Sequence, residues 1–227
     1  MAVLSIGNPK GGAGKTTLAL VLADTLATND FKVSVIDADP NSIIVKWARK
    51  RENAGQDMPF RVIARPTEAE MIGVIEQRSQ EDDFVIIDLE GTASRMTSRA
   101  LARSHLVLIP FNLSPIDAEL AAEAVGVIHE EQEALQRRIP FRLVKSRTSA
   151  AIATRTEQRI KDEISNAQLP LLDAALVERA AYRDIYEFGQ RLIELNPEKT
   201  SGVQKAIANA QGLAEAVVAA VKEEYPA

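Results

Sequence analysis

Short apolar runs alternate with longer segments of helical periodicity over about the first 170 residues of the chain. The runs are apolar almost continuously rather than at alternate positions, which is typical of strands that are buried on both faces. They predict strands at about residues 3–7, 32–37, 60–64, 84–88, 106–110 and 141–146. Strands that alternate with helices indicate βαβ units, so we expect a mostly parallel, twisted sheet.

The segments between these runs predict helices that cover both faces of the sheet. They lie at about residues 15–29, 41–54, 67–80, 94–103, 115–137 and 153–166. Residue types that cap helices stand near several of these starts, namely Asn41, Thr67 and Ser94. Beyond about residue 170 the periodicity is helical, with a last helix near residues 203–224. The predicted fold class is therefore α/β.

The composition indicates one soluble domain. The chain has 227 residues, 46% of them hydrophobic, with no linker, repeat or low-complexity tract, so we expect a single domain over residues 1–227. It contains no cysteine, which excludes disulfides and thiolate chemistry and suits a reducing compartment such as the cytoplasm. No segment approaches the roughly 18 apolar residues of a membrane span, so we expect no membrane partner.

The charge of the chain is unevenly distributed. The formal net charge is -5, which gives no hint of a nucleic-acid partner. Residues 137–161, however, hold eight basic residues against one acidic residue, a local charge of +7. Two interpretations of this basic cluster stand at this point: a solvated helix face, or a surface that contacts a phosphate backbone.

Residues 7–17, GNPKGGAGKTT, form a phosphate-binding loop pattern with a departure from the usual spacing. The pattern G-x-x-x-x-G-K-T, aligned on Gly14, Lys15 and Thr16, places glycine at position 9, where this chain has Pro9. A second lysine, Lys10, precedes the glycine pair. Because a predicted strand precedes the loop and a predicted helix follows it, backbone N–H groups and the helix N terminus would surround phosphate oxygens.

The residues of this loop have distinct predicted tasks. Lys15 would neutralise the β- and γ-phosphates of a nucleotide, and the Thr16 hydroxyl would bind Mg²⁺. The remaining phosphate contacts are expected from the rest of the loop, which comprises Gly11, Gly12, Ala13, Gly14 and Thr17.

Carboxylates end two of the predicted strands. Asp37 ends the second strand and Asp39 comes two positions later. Asp88 ends the fourth strand, in the position of a Walker-B aspartate that would hold the Mg²⁺ shell through water. The carboxyl ends of parallel strands meet at one edge of a sheet, so we expect all three near the phosphate loop.

Residues 10–17, the DADPN segment 37–41 and the IIDLEG segment 86–91 together resemble the deviant Walker A, switch I and switch II regions of the ParA/MinD family of ATPases. The resemblance runs nearly from end to end. It implies a single-domain P-loop NTPase fold with ATP and Mg²⁺ as cofactors. It also implies that Lys10 reaches across an ATP-bound homodimer to the partner's phosphates, that Asp39 positions or activates the water, and that Asp37 and Asp88 organise the magnesium side.

The same resemblance implies a DNA-associated positioning ATPase. Members similar to plasmid-partition ParA bind DNA non-specifically as ATP-bound dimers, so the cluster at 137–161 is interpreted as a DNA surface, with Arg147, Arg155 and Arg159 as candidate contacts. A ParB-like or other adaptor protein would stimulate hydrolysis, and the expected localisation is cytoplasmic and nucleoid-associated. We expect a cargo such as a plasmid.

Three alternatives remain open at this stage. One is an ATPase of a conjugation or T-DNA-transfer complex, of the kind served by VirC-type relatives, or one that positions a protein cluster. Another is a MinD-like membrane-associated regulator, which the absence of a basic amphipathic C-terminal helix disfavours. The last is a ligase similar to dethiobiotin synthetase, which would not need Lys10.

The chain departs from the family pattern after Asp88. Many relatives have a rigid Thr-Pro-Pro turn there, whereas this chain has Leu89, Glu90, Gly91 and Thr92. Glu90 would either alter hydrolysis or face solvent, and we expect the solvent position because the sequence names no partner for it. Residues 176–189 resemble the family's late loop and helix near the adenine, without assigning individual contacts.

Overall fold

The computed structural model describes residues 1–9, 11–91, 94–148 and 154–226. These residues form a sheet of seven strands, all of them paired in parallel, in the order β3-β2-β4-β1-β5-β6-β7. The strands are β1 (Ala2–Ile6), β2 (Val33–Asp37), β3 (Arg61–Ile63), β4 (Phe84–Asp88), β5 (Leu106–Phe111), β6 (Phe141–Thr148) and β7 (Leu171–Val177). The α/β fold with a parallel sheet is thus confirmed.

The four central strands, β2, β4, β1 and β5, are buried along their whole length. Helices cover both faces of the sheet, which explains why the apolar runs of these strands are nearly continuous. The helices are α1 (Lys15–Thr28), α2 (Ile43–Asn53), α3 (Met71–Glu81), α4 (Arg95–Leu101), α5 (Pro115–Leu135), α6 (Arg155–Asn166), α7 (Ala180–Phe188) and α8 (Val203–Glu224).

The core is divided between the two faces of the sheet. On one face, α1 packs against α8 and α2, and α7 packs against α8. The buried side chains of this face include Trp47 and Leu213. On the other face, α3, α4, α5 and α6 follow one another across the sheet, over two smaller clusters that include Ile87 and Ile109. Among the described residues, none of these helices is both long and apolar enough to cross a membrane.

The strand order brings the predicted carboxylates to one edge. Asp88 is in register with Ile6 of β1 on one side and with Asp37 of β2 on the other. The chain runs from β1 towards β2 and β3 on one side of the sheet and later continues through β5 on the other, so a crevice forms at the carboxyl ends of the central strands. Ligands of open α/β sheets bind at such a position.

One expectation is wrong: the chain beyond residue 170 is not only helical, because Leu171–Val177 forms β7. This strand lies at the edge of the sheet and pairs with β6 alone. Its buried residues include Leu172 and Leu176, which stand four positions apart. That spacing fits one face of a helix as well as one face of a strand, so the pattern did not distinguish between them.

Two predicted helix starts are also displaced. Ser94 caps α4 as expected, since its side chain accepts a hydrogen bond from the Thr97 amide. In contrast, α2 begins after Ser42 rather than Asn41, because Asp39 already accepts a hydrogen bond from the Asn41 amide in a preceding turn. Likewise α3 begins at Met71, since the turn from Thr67 is closed by hydrogen bonds to Glu70.

Candidate functional site

The loop between β1 and α1 has the backbone of a phosphate cradle. Gly12 and Gly14 adopt positive φ angles of 81° and 94°, which residues with a side chain rarely adopt. A Cβ atom on Gly14 would also overlap the Oγ of Ser146. Asn8 fixes the start of the loop to β5 by donating from Nδ2 to the Pro110 carbonyl over 2.8 Å. Glycine at position 14 is therefore required by both conformation and space.

A cavity of about 390 Å³ lies over this loop. It brings the loop together with the segments that follow β2 and β4, as the sequence predicts. Its lining comprises Gly11, Gly12, Gly14, Lys15, Thr16, Thr17, Asp39, Pro40, Asn41, Ile43, Glu90, Gly91 and Arg147. No side-chain cap occupies the N terminus of α1 among the described residues, and a helix N terminus that faces a cavity favours an anion there.

Lys15 begins α1 and its side chain is buried against the loop. Its Nζ donates a hydrogen bond to the Asn8 carbonyl over 3.0 Å. Burial lowers the pKa of Lys15, while the Asp88 and Asp39 carboxylates oppose this shift. A Cβ on Gly91 would lie 3.2 Å from Nζ, so the ammonium group sits between the phosphate loop and the segment after β4. The contact of this group with the β- and γ-phosphates of a nucleotide stays a prediction.

Asp37 and Asp88 face each other across the register of β2 and β4, and both are fully buried. Asp37 Oδ2 accepts a hydrogen bond from the Val45 amide over 3.0 Å. Within the described part of the chain, Asp37 Oδ1 and both carboxylate oxygens of Asp88 meet no hydrogen-bond partner of adequate geometry. Burial raises the pKa of Asp37, and it raises the pKa of Asp88 to about 7 although the Thr16 side chain opposes the shift.

These buried carboxylates fit a hydrated magnesium ion. Unpaired carboxylate oxygens in a dry site are costly, and the water ligands of a cation would supply hydrogen bonds to them. The described residues contain no cluster of three or more acidic, histidine or cysteine side chains suited to a metal. The ion would therefore be held mainly by the Thr16 hydroxyl and by nucleotide phosphates, as magnesium usually is at such loops.

Asp39 lies at the rim of the same cavity and is half-buried. Its Oδ1 accepts a hydrogen bond from the Asn41 amide over 2.7 Å, which fixes the direction of the carboxylate. The structure thus brings Asp37, Asp39 and Asp88 to the loop, as predicted. Lys10, the predicted cross-dimer lysine, lies outside the described residues.

Sequence analysis missed Tyr186, which supports the phosphate loop from below. Its hydroxyl donates to the Thr16 carbonyl over 2.7 Å. Burial raises the pKa of this hydroxyl, which keeps it protonated and able to donate. Tyr186 belongs to α7, 170 positions along the chain from Thr16, and no local pattern in the sequence links the two residues.

A second cavity, of about 270 Å³, adjoins the first and shares Gly14, Thr17 and Arg147 with it. Its other lining residues are Ser146, Leu176, Val177, Glu178, Arg179, Tyr182 and Arg183. The segment that resembles the family's adenine-side loop therefore lies beside the phosphate loop. Ser146 Oγ and Arg179 Nε are buried and lack hydrogen-bond partners in the described chain, so this cavity offers polar groups to a ligand.

The basic cluster at 137–161 is not one surface. Arg138 and Arg142, near the amino end of β6, form ion pairs with Glu224 at 2.6 and 2.9 Å. Arg147 lies near the other end of β6 and lines both cavities, so it belongs to the candidate nucleotide site. Arg155 and Arg159 are exposed on α6. Part of the positive charge of the cluster is therefore paired with Glu224 of the same chain.

The expected solvent position of Glu90 is wrong. Its side chain is 15% exposed and its Oε2 forms an ion pair of 3.2 Å with the guanidinium of Arg65. Arg65 lies 25 positions away, in the loop after β3, and a sequence pattern cannot reveal such a pair.

The chain is similar to known proteins in sequence and in fold. The family described as VirC1 protein matches residues 1–222. Protein ParA from Rhizobium radiobacter is 36% identical over 219 residues, which cover 96% of both chains. Protein virC1 from Rhizobium rhizogenes is 27% identical over 83% of this chain and 82% of its own. The ATP complex of McdA from Cyanothece superposes with a TM-score of 0.75, at 17% identity, over 96% of both chains.

Proposed function

This chain belongs to the VirC1 family, and we propose that it is a magnesium-dependent ATPase that forms a homodimer with ATP. In this proposal the ATP-bound dimer binds DNA non-specifically and positions or segregates a cargo such as a plasmid. The observation that supports it best is the phosphate loop opposite two buried carboxylates, Asp37 and Asp88, three of whose four oxygens lack a hydrogen-bond partner in the described chain. The similarity to ParA and to the McdA that was solved with ATP points the same way.

The phosphates of ATP would lie over the backbone of Gly11 to Thr17, with Lys15 at the β- and γ-phosphates. Bound Mg²⁺ would neutralise phosphate charge, with the Thr16 hydroxyl as its protein ligand. Asp37 and Asp88 would accept hydrogen bonds from the water ligands of the ion, which would give partners to the buried oxygens that lack them. The base would enter the second cavity, beside Ser146 and Arg179.

Asp39 would orient the attacking water, since its carboxylate lies at the rim of the phosphate cavity. Lys10 would reach the phosphates of the partner subunit. Hydrolysis would be slow until a ParB-like or other adaptor protein stimulates it. ATP would then control the lifetime of the dimer and of its DNA complex.

The exposed arginines of α6, Arg155 and Arg159, would contact the DNA backbone. Charged contacts of this kind do not depend on sequence and weaken with salt. Arg147, which also lines the nucleotide cavities, would link this face to the bound nucleotide. A second candidate function, service of a conjugation or T-DNA-transfer complex, is favoured by the match to the VirC1 family over nearly the whole chain.

DNA binding can be tested by fluorescence anisotropy with two unrelated duplexes, in ATP and in ADP. We expect ATP-dependent binding of equal affinity for both duplexes, with log affinity falling by about 0.9 per neutralised phosphate as log salt rises. Replacement of Arg155 and Arg159 by alanine should weaken both complexes and flatten this dependence. Arg138→Ala, an exposed control paired with Glu224, should not. DNA binding that ignores the nucleotide, or the α6 substitutions, would contradict the proposal.

A further inference from the structure

Glu90 adds a carboxylate to a site that is already rich in acidic groups. The cavity over the phosphate loop is lined by Asp39 and Glu90, and Asp37 and Asp88 lie buried below it. A bound nucleoside triphosphate would bring several further negative charges into the same space. Glu90 is partly buried, and like charges in a partly buried site repel each other, so an uncompensated Glu90 would oppose binding.

The backbone leaves Glu90 little freedom to move away. The amide of the preceding residue, Leu89, donates to the Ile6 carbonyl over 3.1 Å, and its side chain is buried. On the other side, a Cβ on Gly91 would lie 3.1 Å from the Pro9 carbonyl and 3.2 Å from Lys15 Nζ. The segment therefore runs in close contact with the phosphate loop, and only the direction of the Glu90 side chain is adjustable.

Arg65 sets that direction. Its guanidinium approaches Glu90 Oε2 to 3.2 Å from the loop after β3, and Arg65 is not among the described residues that line the phosphate cavity. The carboxylate of a cavity residue is thus directed to a cation outside the cavity. The Arg65 side chain is 41% exposed, whereas that of Glu90 is 15% exposed. Solvent and salt therefore screen the charge of Arg65 more than that of Glu90.

We propose that Arg65 is a positioning residue of the nucleotide site, which holds the Glu90 carboxylate away from the terminal phosphate and neutralises its charge. This inference rests on the ATP binding that the proposed function requires. Because Gly91, the neighbour of Glu90, adjoins Lys15 Nζ, the effect should act on the terminal phosphate, and the ion pair should favour ATP over ADP.

Affinities for Mg-ATP and Mg-ADP, measured by isothermal titration calorimetry, test the proposal with four variants. Arg65→Ala should weaken ATP binding by about three- to five-fold, the range of a partly exposed ion pair, and ADP binding by less than about two-fold. Glu90→Gln added to Arg65→Ala should restore the ATP affinity, because it removes the charge that Arg65 neutralised. Arg65→Lys should stay close to wild type.

The fourth variant, Arg103→Ala, is the matched control. Arg103 is also 41% exposed and also forms an ion pair, with Glu76 at 2.9 Å, but neither residue lines the phosphate cavity. It should bind both nucleotides as wild type does. High salt should reduce the difference between Arg65→Ala and wild type.

Each other outcome has a distinct consequence. If the wild-type protein binds ATP and Arg65→Ala binds it with the same affinity, the role of Arg65 is overturned but the proposed function is not. Equal weakening of ATP and ADP without rescue by Glu90→Gln would show a merely structural role and would also overturn it. Wild-type protein that binds neither nucleotide would refute the proposed function and this inference together.

Discussion

Replacement of Gly14 by alanine should destabilise the protein through two separable effects. Gly14 has φ 94° and ψ 15°, and left-handed backbone of this kind costs a residue with a Cβ about 1–2 kcal/mol. The new Cβ would also overlap Ser146 Oγ, and overpacking of a close-packed site costs about 1–3 kcal/mol. The free energy of unfolding of Gly14→Ala should therefore fall by about 2–5 kcal/mol.

Ser146 allows the two effects to be measured apart. Its Oγ is buried without a hydrogen-bond partner in the described chain, so Ser146→Ala alone should change stability little. In the double variant the overlap disappears, since the Ser146 Cβ would lie 3.5 Å from the new methyl group. The double variant should therefore recover about 1–3 kcal/mol relative to Gly14→Ala and retain the backbone cost.

Urea denaturation followed by circular dichroism measures these free energies. Gly73→Ala serves as the control, because Gly73 lies exposed in α3 with nothing within 4 Å of the added Cβ. It should stabilise the protein by about 0.5–1 kcal/mol. A Gly14→Ala variant as stable as wild type, or a double variant no more stable than Gly14→Ala, would refute the packing of Gly14 against Ser146.

Two further predictions concern the carboxylates. Asp39→Ala should slow phosphate release while ATP binding survives, so that the ATP-bound dimer accumulates in sizing chromatography; wild-type turnover would move the catalytic role elsewhere. Burial raises the pKa of Asp88 from 3.8 to about 7. Between these pH values, and without Mg²⁺, the folded state therefore binds more protons than the unfolded state. The free energy of unfolding should then fall as the pH rises from about 4 to about 7. Asp88→Asn should flatten this dependence in urea titrations at several pH values, whereas an unchanged slope would assign the proton uptake to another group.

Much of the fold follows from the sequence because its central strands are buried on both faces. A strand covered by helices on both faces needs apolar residues throughout, which is why the runs of β1, β2, β4 and β5 stand out. The edge strand β7 has one neighbour and a half-buried surface. Its residues carry no such requirement, and their spacing fits a helix equally well.

Some residues of the candidate site can be predicted from the sequence and others cannot. The glycine positions and Lys15 are fixed by what a phosphate loop needs locally, and Asp37 and Asp88 by where buried strands end, so the sequence predicts them. Tyr186 and Arg65 act through contacts with residues far away in the chain. Such contacts exist only in the folded chain, and a single sequence cannot reveal them.

The ion pairs of Arg138 and Arg142 with the C-terminal helix α8 also join residues that are far apart in the sequence. In sequence they extend a basic cluster that ends at residue 161. In the fold their guanidinium groups lie against Glu224 of α8, more than 80 positions away. Counting charges along the sequence therefore overestimates the basic surface. Arg155 and Arg159 of α6 remain the candidate DNA contacts, although Arg159 also pairs with Glu163 over 3.5 Å.

The central claim, that ATP closes a dimer through this loop, is tested most directly by titration with a fluorescent ATP analogue combined with sizing chromatography. Lys15→Ala should lose nucleotide binding, because it removes the buried ammonium group that lines the cavity and would neutralise the phosphates. Lys205→Ala, an exposed control in α8, should bind and dimerise as wild type does. Lys10→Ala should bind one nucleotide per chain and remain a monomer. An ATP-dependent dimer that forms unimpaired in Lys10→Ala, or nucleotide binding that survives in Lys15→Ala, would contradict the account.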